Sequence, residues 1–86
     1  MVDITGKIEE SIENIREGNY ANSLRNLWNM YSDLLKSEVL TKESSYQINS
    51  SIISASVRLL EGDQEAAIGE ISELKKYMRK ENIIKK

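Results

Sequence analysis

Gly18-Asn19-Tyr20-Ala21-Asn22-Ser23-Leu24 and Gly62-Asp63-Gln64-Glu65-Ala66-Ala67-Ile68 stand 44 residues apart and match in kind. Each is a glycine, then an amide or acidic residue, then a small residue followed by an aliphatic one. The agreement extends outward: Leu27 pairs with Ile71 and Met30 with Leu74, while Ile4, Ile8 and Ile15 pair with Ile48, Ile52 and Leu59. Glycine ends helices because it accepts a left-handed backbone, and Asn or Asp caps the next helix through its side-chain oxygen. The chain therefore reads as two similar helical hairpins. The expected fold is all-α: four helices in two antiparallel hairpins, packed as a four-helix bundle or as a short solenoid-like pair.

No proline occurs, so Gly, Asn, Asp and Thr supply all the punctuation. The first helix is expected from Asp3 or Thr5 to Arg16, with Ile4, Ile8, Ile12 and Ile15 forming a narrow apolar stripe. The second is expected over 20–38 and carries Tyr20, Leu24, Leu27, Trp28, Tyr31, Leu34 and Leu35 at helical spacing. The third starts after a Thr41 cap and runs to Leu60, its buried stripe of Ile48, Ile52, Ala55, Ser56 and Leu59 widened by Ile53 and Leu60. Its many serines are small enough to let a neighbouring helix approach closely. The fourth starts after Asp63 and runs to about Lys80. Residues 1–80 thus form one helical domain, and 81–86 a basic, frayed tail in which Ile83 and Ile84 sit exposed as a docking point.

Eighty-six residues lie near the lower limit for a chain that folds alone, and small domains often recruit a partner. Cys and His are absent, which removes disulfides, the usual zinc sites and thiol or imidazole catalysis. The remaining acid–base candidates, Glu9 with Glu13 and Glu70 with Glu73, share helix faces but read as solvated carboxylates. No glycine-rich phosphate loop occurs. The expectation is a non-catalytic protein with no cofactor and no metal. No run approaches the ~20 apolar residues that span a bilayer, and Met1-Val2-Asp3-Ile4 lacks the pattern of a secretory signal. A cytoplasmic setting without membrane contact is expected.

Charge is uneven. Residues 1–74 hold six Lys or Arg against thirteen Asp or Glu, whereas 75–86 hold six cations against Glu81 alone. Lys75, Lys76, Arg79, Lys80, Lys85 and Lys86 complement a helix C-terminus, and they also suit an acidic partner or a nucleic acid. Trp28, Met30 and Tyr31 widen the apolar face of the second helix and read as core or as a protein-binding patch. With Tyr20, Trp28 and Tyr31 also admit reading as a base-stacking platform.

Gly18-Asn19-Tyr20 with Ser23, and Gly62-Asp63-Gln64 with Ala67, resemble the turn and second helix of a tetratricopeptide repeat, with Leu27 and Ile71 at the family's large packing position. Lys7 and Ser51 stand where that family has a large aromatic, and Leu35 and Arg79 where it has a closing proline. The resemblance implies antiparallel helical hairpins that close on each other at the small residue. In size and composition the chain is also similar to the small helical subunits that accompany the replicative family-B DNA polymerase of crenarchaea. That likeness implies an accessory subunit in DNA replication whose larger partner is the polymerase. The function expected from all these features is an accessory subunit or adaptor. A nucleic-acid accessory factor acting through the basic segment, or a self-assembling homo-oligomer, is the alternative.

Overall fold

Each inter-helix turn within a hairpin is built on a glycine with a left-handed backbone, Gly18 at φ 80° and Gly62 at φ 76°. In a computed structural model describing residues 4–84, these turns separate α1 (Ile4–Arg16) from α2 (Tyr20–Lys36) and α3 (Lys42–Leu60) from α4 (Gln64–Lys80). Gly18 donates to Ile15 O and Asn19 to Asn14 O; Gly62 and Asp63 repeat the pattern on Leu59 O and Arg58 O. Orphan carbonyls at both helix ends are thereby satisfied. Open space surrounds the position a Cβ would take at either glycine, so backbone conformation alone calls for glycine there.

The helix starts follow the sequence. Asn19 Oδ1 accepts from Asn22 N, Thr41 Oγ1 from Ser44 N and Asp63 Oδ1 from Ala66 N. Asp3, one of the two caps considered for α1, lies outside the described residues, and Thr5 falls inside the helix. The second helix stops at Lys36 rather than at 38, because Ser37 caps it and Glu38 turns to φ 57°.

Each helix sends a stripe into one shared core, in which Ile8, Leu27, Met30, Ile48, Ile52 and Met78 are wholly inaccessible. The hairpins form through α1·α2 and α3·α4, and α1·α4 with α2·α3 closes the ring; neither diagonal pair brings its backbones together among the described residues. The result is a four-helix bundle. Exchanging the two hairpins maps α1·α4 onto α3·α2, so the 44-residue repeat is also a two-fold relation of the structure. Tyr20 and Gln64, equivalent under the repeat, meet directly: Gln64 Nε2 donates to Tyr20 Oη at 2.7 Å. The radius of gyration, 11.9 Å, agrees with the ~12 Å of a compact domain of this length.

Small residues let each hairpin close. Ser11 and Ser23 are buried and face each other, Ser11 Oγ donating to Ser23 O at 2.9 Å and lying 2.8 Å from Ser23 Oγ. Their equivalents Ala55 and Ala67 are equally buried. One hairpin thus holds a hydrogen-bonded polar pair where the other holds two methyls. Such a satisfied pair contributes about 1 kcal/mol and fixes register without a cavity.

The segment after α4 corrects the expectation of a frayed tail from residue 81. Asn82 turns at φ 59°, and the Ile83 and Ile84 amides return to Met78 O. Ile84 is buried in the core and Ile83 packs against it, so neither is a free docking point. The physical reason is the same left-handed helix stop that follows α2, where Glu38 stands at the equivalent position. Lys85 and Lys86 lie outside the described residues.

Candidate interaction face

Seven large hydrophobic side chains are exposed among the described residues: Trp28, Leu35, Val39, Tyr46, Ile53, Val57 and Leu60. All belong to α2, α3 or the loop joining them. On α3, Tyr46, Ile53, Val57 and Leu60 fall within an arc about 60° wide, well away from the core stripe of Ile48, Ile52, Ala55 and Leu59. Ile53 is 48% exposed and Leu60 89%, which corrects the expectation that they widen the buried stripe. They sit too far round the helix to reach the core.

On α2, the arc flanking the core carries Leu24, Tyr31, Leu35 and Trp28. Leu24 and Tyr31 pack partly into the core, whereas Trp28 is 38% exposed and Leu35 48%. Trp28 and Tyr31 meet edge to face, ring centroids 6.1 Å apart, which holds the indole against the helix surface. Met30 has no exposed surface. It belongs to the core and leaves the patch proposed from sequence, because it follows the Leu27–Leu34 stripe rather than the Trp28 side.

The two-fold relation shows which side of the bundle these arcs occupy. Lys75 Nζ on α4 pairs with Glu9 Oε1 on α1, so those residues line the α1–α4 side. Their equivalents are Tyr31 on α2 and Ile53 on α3, which line the α2–α3 side. The charged contact of one side becomes an aromatic and an aliphatic residue on the other. Further along, Glu13 and Arg16 of α1 correspond to Val57 and Leu60 of α3, and Ser72 and Arg79 of α4 to Trp28 and Leu35 of α2. One backbone arrangement therefore carries a charged side and an apolar side. Folding does not demand the apolar residues, since α1 packs with Glu9, Glu13 and Arg16 in their place.

The basic residues of the C-terminal region do not form one surface. Lys75 is drawn to Glu9, whose carboxyl is held below the usual carboxylate range by the Lys75 hydrogen bond and charge, with Arg79 adding to it. Lys76 lies 3.6 Å from Glu73 on the exposed side of α4. Arg79 is half-buried, its Nε inaccessible and without a hydrogen-bond partner; Lys80 is exposed. Lys85 and Lys86 lie outside the described residues. Of the carboxylates considered for acid–base work, Glu9 and Glu13 are drawn to Lys75 and Arg16 and Glu73 to Lys76. No group of three or more His, Cys, Asp or Glu suited to a metal occurs among the described residues. No helix among them is long and apolar enough to cross a membrane.

Sequence reasoning missed Tyr46, Ile53, Val57 and Leu60. The signal was present in the repeat: comparing its two copies position by position sets Glu9 against Ile53, Glu13 against Val57 and Arg16 against Leu60.

Fold and surface together define a pseudo-symmetric four-helix bundle with one apolar side. No family model, curated protein or solved structure matches the chain.

Proposed function

We infer that this chain is a non-catalytic cytoplasmic accessory subunit or adaptor, engaging another polypeptide through the α2–α3 side of the bundle. One observation carries the reading. Every large hydrophobic exposed among the described residues belongs to α2, α3 or the loop joining them, and the positions equivalent to Leu35, Ile53, Val57 and Leu60 on the α1–α4 side carry charged residues. Side chains that folding does not require to be apolar, gathered on one surface, are what a protein partner buries. Trp28 and Tyr46 are the natural anchors, since aromatic rings bury much area at low entropic cost.

The basic residues support a nucleic-acid role less well, since Lys75 and Lys76 each already face a glutamate. Assembly on a larger enzyme such as a DNA polymerase rests on the likeness in size and composition alone.

The test uses the tagged chain as bait in its native cell extract, in wild-type form, as I53E/V57E and as E13Q on the opposite side. The reading expects a bound polypeptide retained by wild type and E13Q and lost from I53E/V57E. Equal retention by all three, or none by wild type, overturns it.

A further inference from the structure

We propose that the polypeptide covering the α2–α3 side is a second copy of this chain, packed so that α2 of one copy lies antiparallel on α3 of the other. The proposal rests on the interaction reading above and names its partner.

The charges bordering the apolar side select the arrangement. Exposed Arg25 and Lys36 edge the stripe on α2; on α3 it is edged by exposed Glu43, with Lys42 beside it, and by exposed Glu61, which lies 3.2 Å from Arg58. Within one copy, Tyr31 stands level with Ile53, as Lys75 does with Glu9. Counting from that level, Arg25 and Glu61 differ by about two residues, or ~3 Å along the axis, and Lys36 and Glu43 by about five, or ~7.5 Å. Both offsets are within reach of these side chains.

A two-fold axis running along the helices, in the plane of the interface, keeps these heights and lays each α2 on the other copy's α3. Arg25 and Lys36 then face Glu61 and Glu43 of the other copy on both flanks. An axis across the helices instead lays α2 on α2 and α3 on α3. That sets Arg25 towards Lys36, and Glu43 towards Glu61, of the opposing copy. The like charges of the α2 rim discriminate against that packing, whereas on α3 Lys42 and Arg58 offset Glu43 and Glu61. The favoured arrangement also makes a ring of α2, α3 and their two copies in which every neighbour is antiparallel, the packing the chain already uses internally. An isologous contact of this kind closes on itself and leaves no further apolar side.

Sedimentation equilibrium of the full chain tests the proposal, together with binding of an apolar fluorescent dye. Wild type is expected at twice 9.8 kDa in the micromolar range. I53E/V57E, which copies the residues α1 carries, is expected to keep its helical circular dichroism while the dimer Kd rises at least about a hundredfold. R25E should weaken the dimer about tenfold, and R25E/E61R should restore it. A wild-type monomer that binds dye, with dye binding lost in I53E/V57E, overturns self-association while leaving an open docking side. A dimer indifferent to I53E/V57E overturns both this proposal and the reading beneath it. A dimer weakened by I53E/V57E but not restored by the charge exchange overturns the α2-on-α3 packing.

Discussion

Glu9 shows how one residue acquires a role from the far end of the chain. Its partner Lys75 comes from the last helix, and the side chain of Lys75 is only 19% exposed, so the ammonium stays close to the carboxylate. The carboxyl titrates below its ordinary range, and the contribution it makes has a definite sign. A group whose folded value is depressed stabilises above its unfolded value and loses that effect as pH falls through the folded one. Urea unfolding of wild type and Glu9→Gln should therefore differ at neutral pH, with wild type more stable, and converge as the pH falls through the acidic range below the ordinary carboxylate value. A difference independent of pH would assign the effect to packing. Added salt should also shrink it, because Glu9 is exposed. Nothing local in the sequence marks this pair, since residues 66 apart meet only once the ring closes. Met30 is decided for a related reason: beside Trp28 and Tyr31 it reads as core or as patch, and it falls on the core arc while Trp28 falls outside it.

At the scale of elements, most helix limits were legible because glycine and capping side chains are chemical signals that act locally. Gly18, Gly62, Asn19, Thr41 and Asp63 all do what their chemistry implies. Residues 81–84 were not legible in that way. Two isoleucines among lysines read as an exposed end, and only the three-dimensional turn at Asn82 shows that they fold back. The repeat held the clue, since Val39-Leu40 stand 44 residues earlier and Leu40 also packs on the core. Ile84 therefore acts as a plug at the end of the bundle. Ile84→Ala should cost about 2–4 kcal/mol, the range for emptying a buried isoleucine site. Ile83→Ala should cost less, as Ile83 is only partly buried. Chemical denaturation measures both, and equal small effects would mean that the segment contributes nothing to the fold. The serines of α3 likewise acquire distinct tasks in the structure. Ser44 is buried behind the Thr41 cap, and Ser56 Oγ donates to Ile52 O.

At the scale of the molecule, the two hairpins are similar enough to suggest independent units, and their cores argue otherwise. In each hairpin the buried stripe of both helices points to the bundle centre rather than being spent within the hairpin. Ile8 and Leu27 of the first share one buried cluster with Ile52 and Ile71 of the second. Separating the hairpins would expose half of that cluster at once, at roughly 25 cal/mol for each Å² of apolar surface returned to water. A hairpin also lacks the length to hold its helices unaided, since isolated helices of this size are marginal in water. Neither unit should persist without the other, so the chain should unfold as one. Helical circular dichroism averages over both hairpins, whereas emission from Trp28, the single tryptophan, reports on α2 alone. In urea, at a protein concentration low enough to keep the chain monomeric, the two signals should trace the same sigmoidal curve with one midpoint. A Trp28 midpoint displaced from the helical one would mean that the first hairpin opens separately, and the bundle would then have to be described as two docked units instead of a single cooperative core.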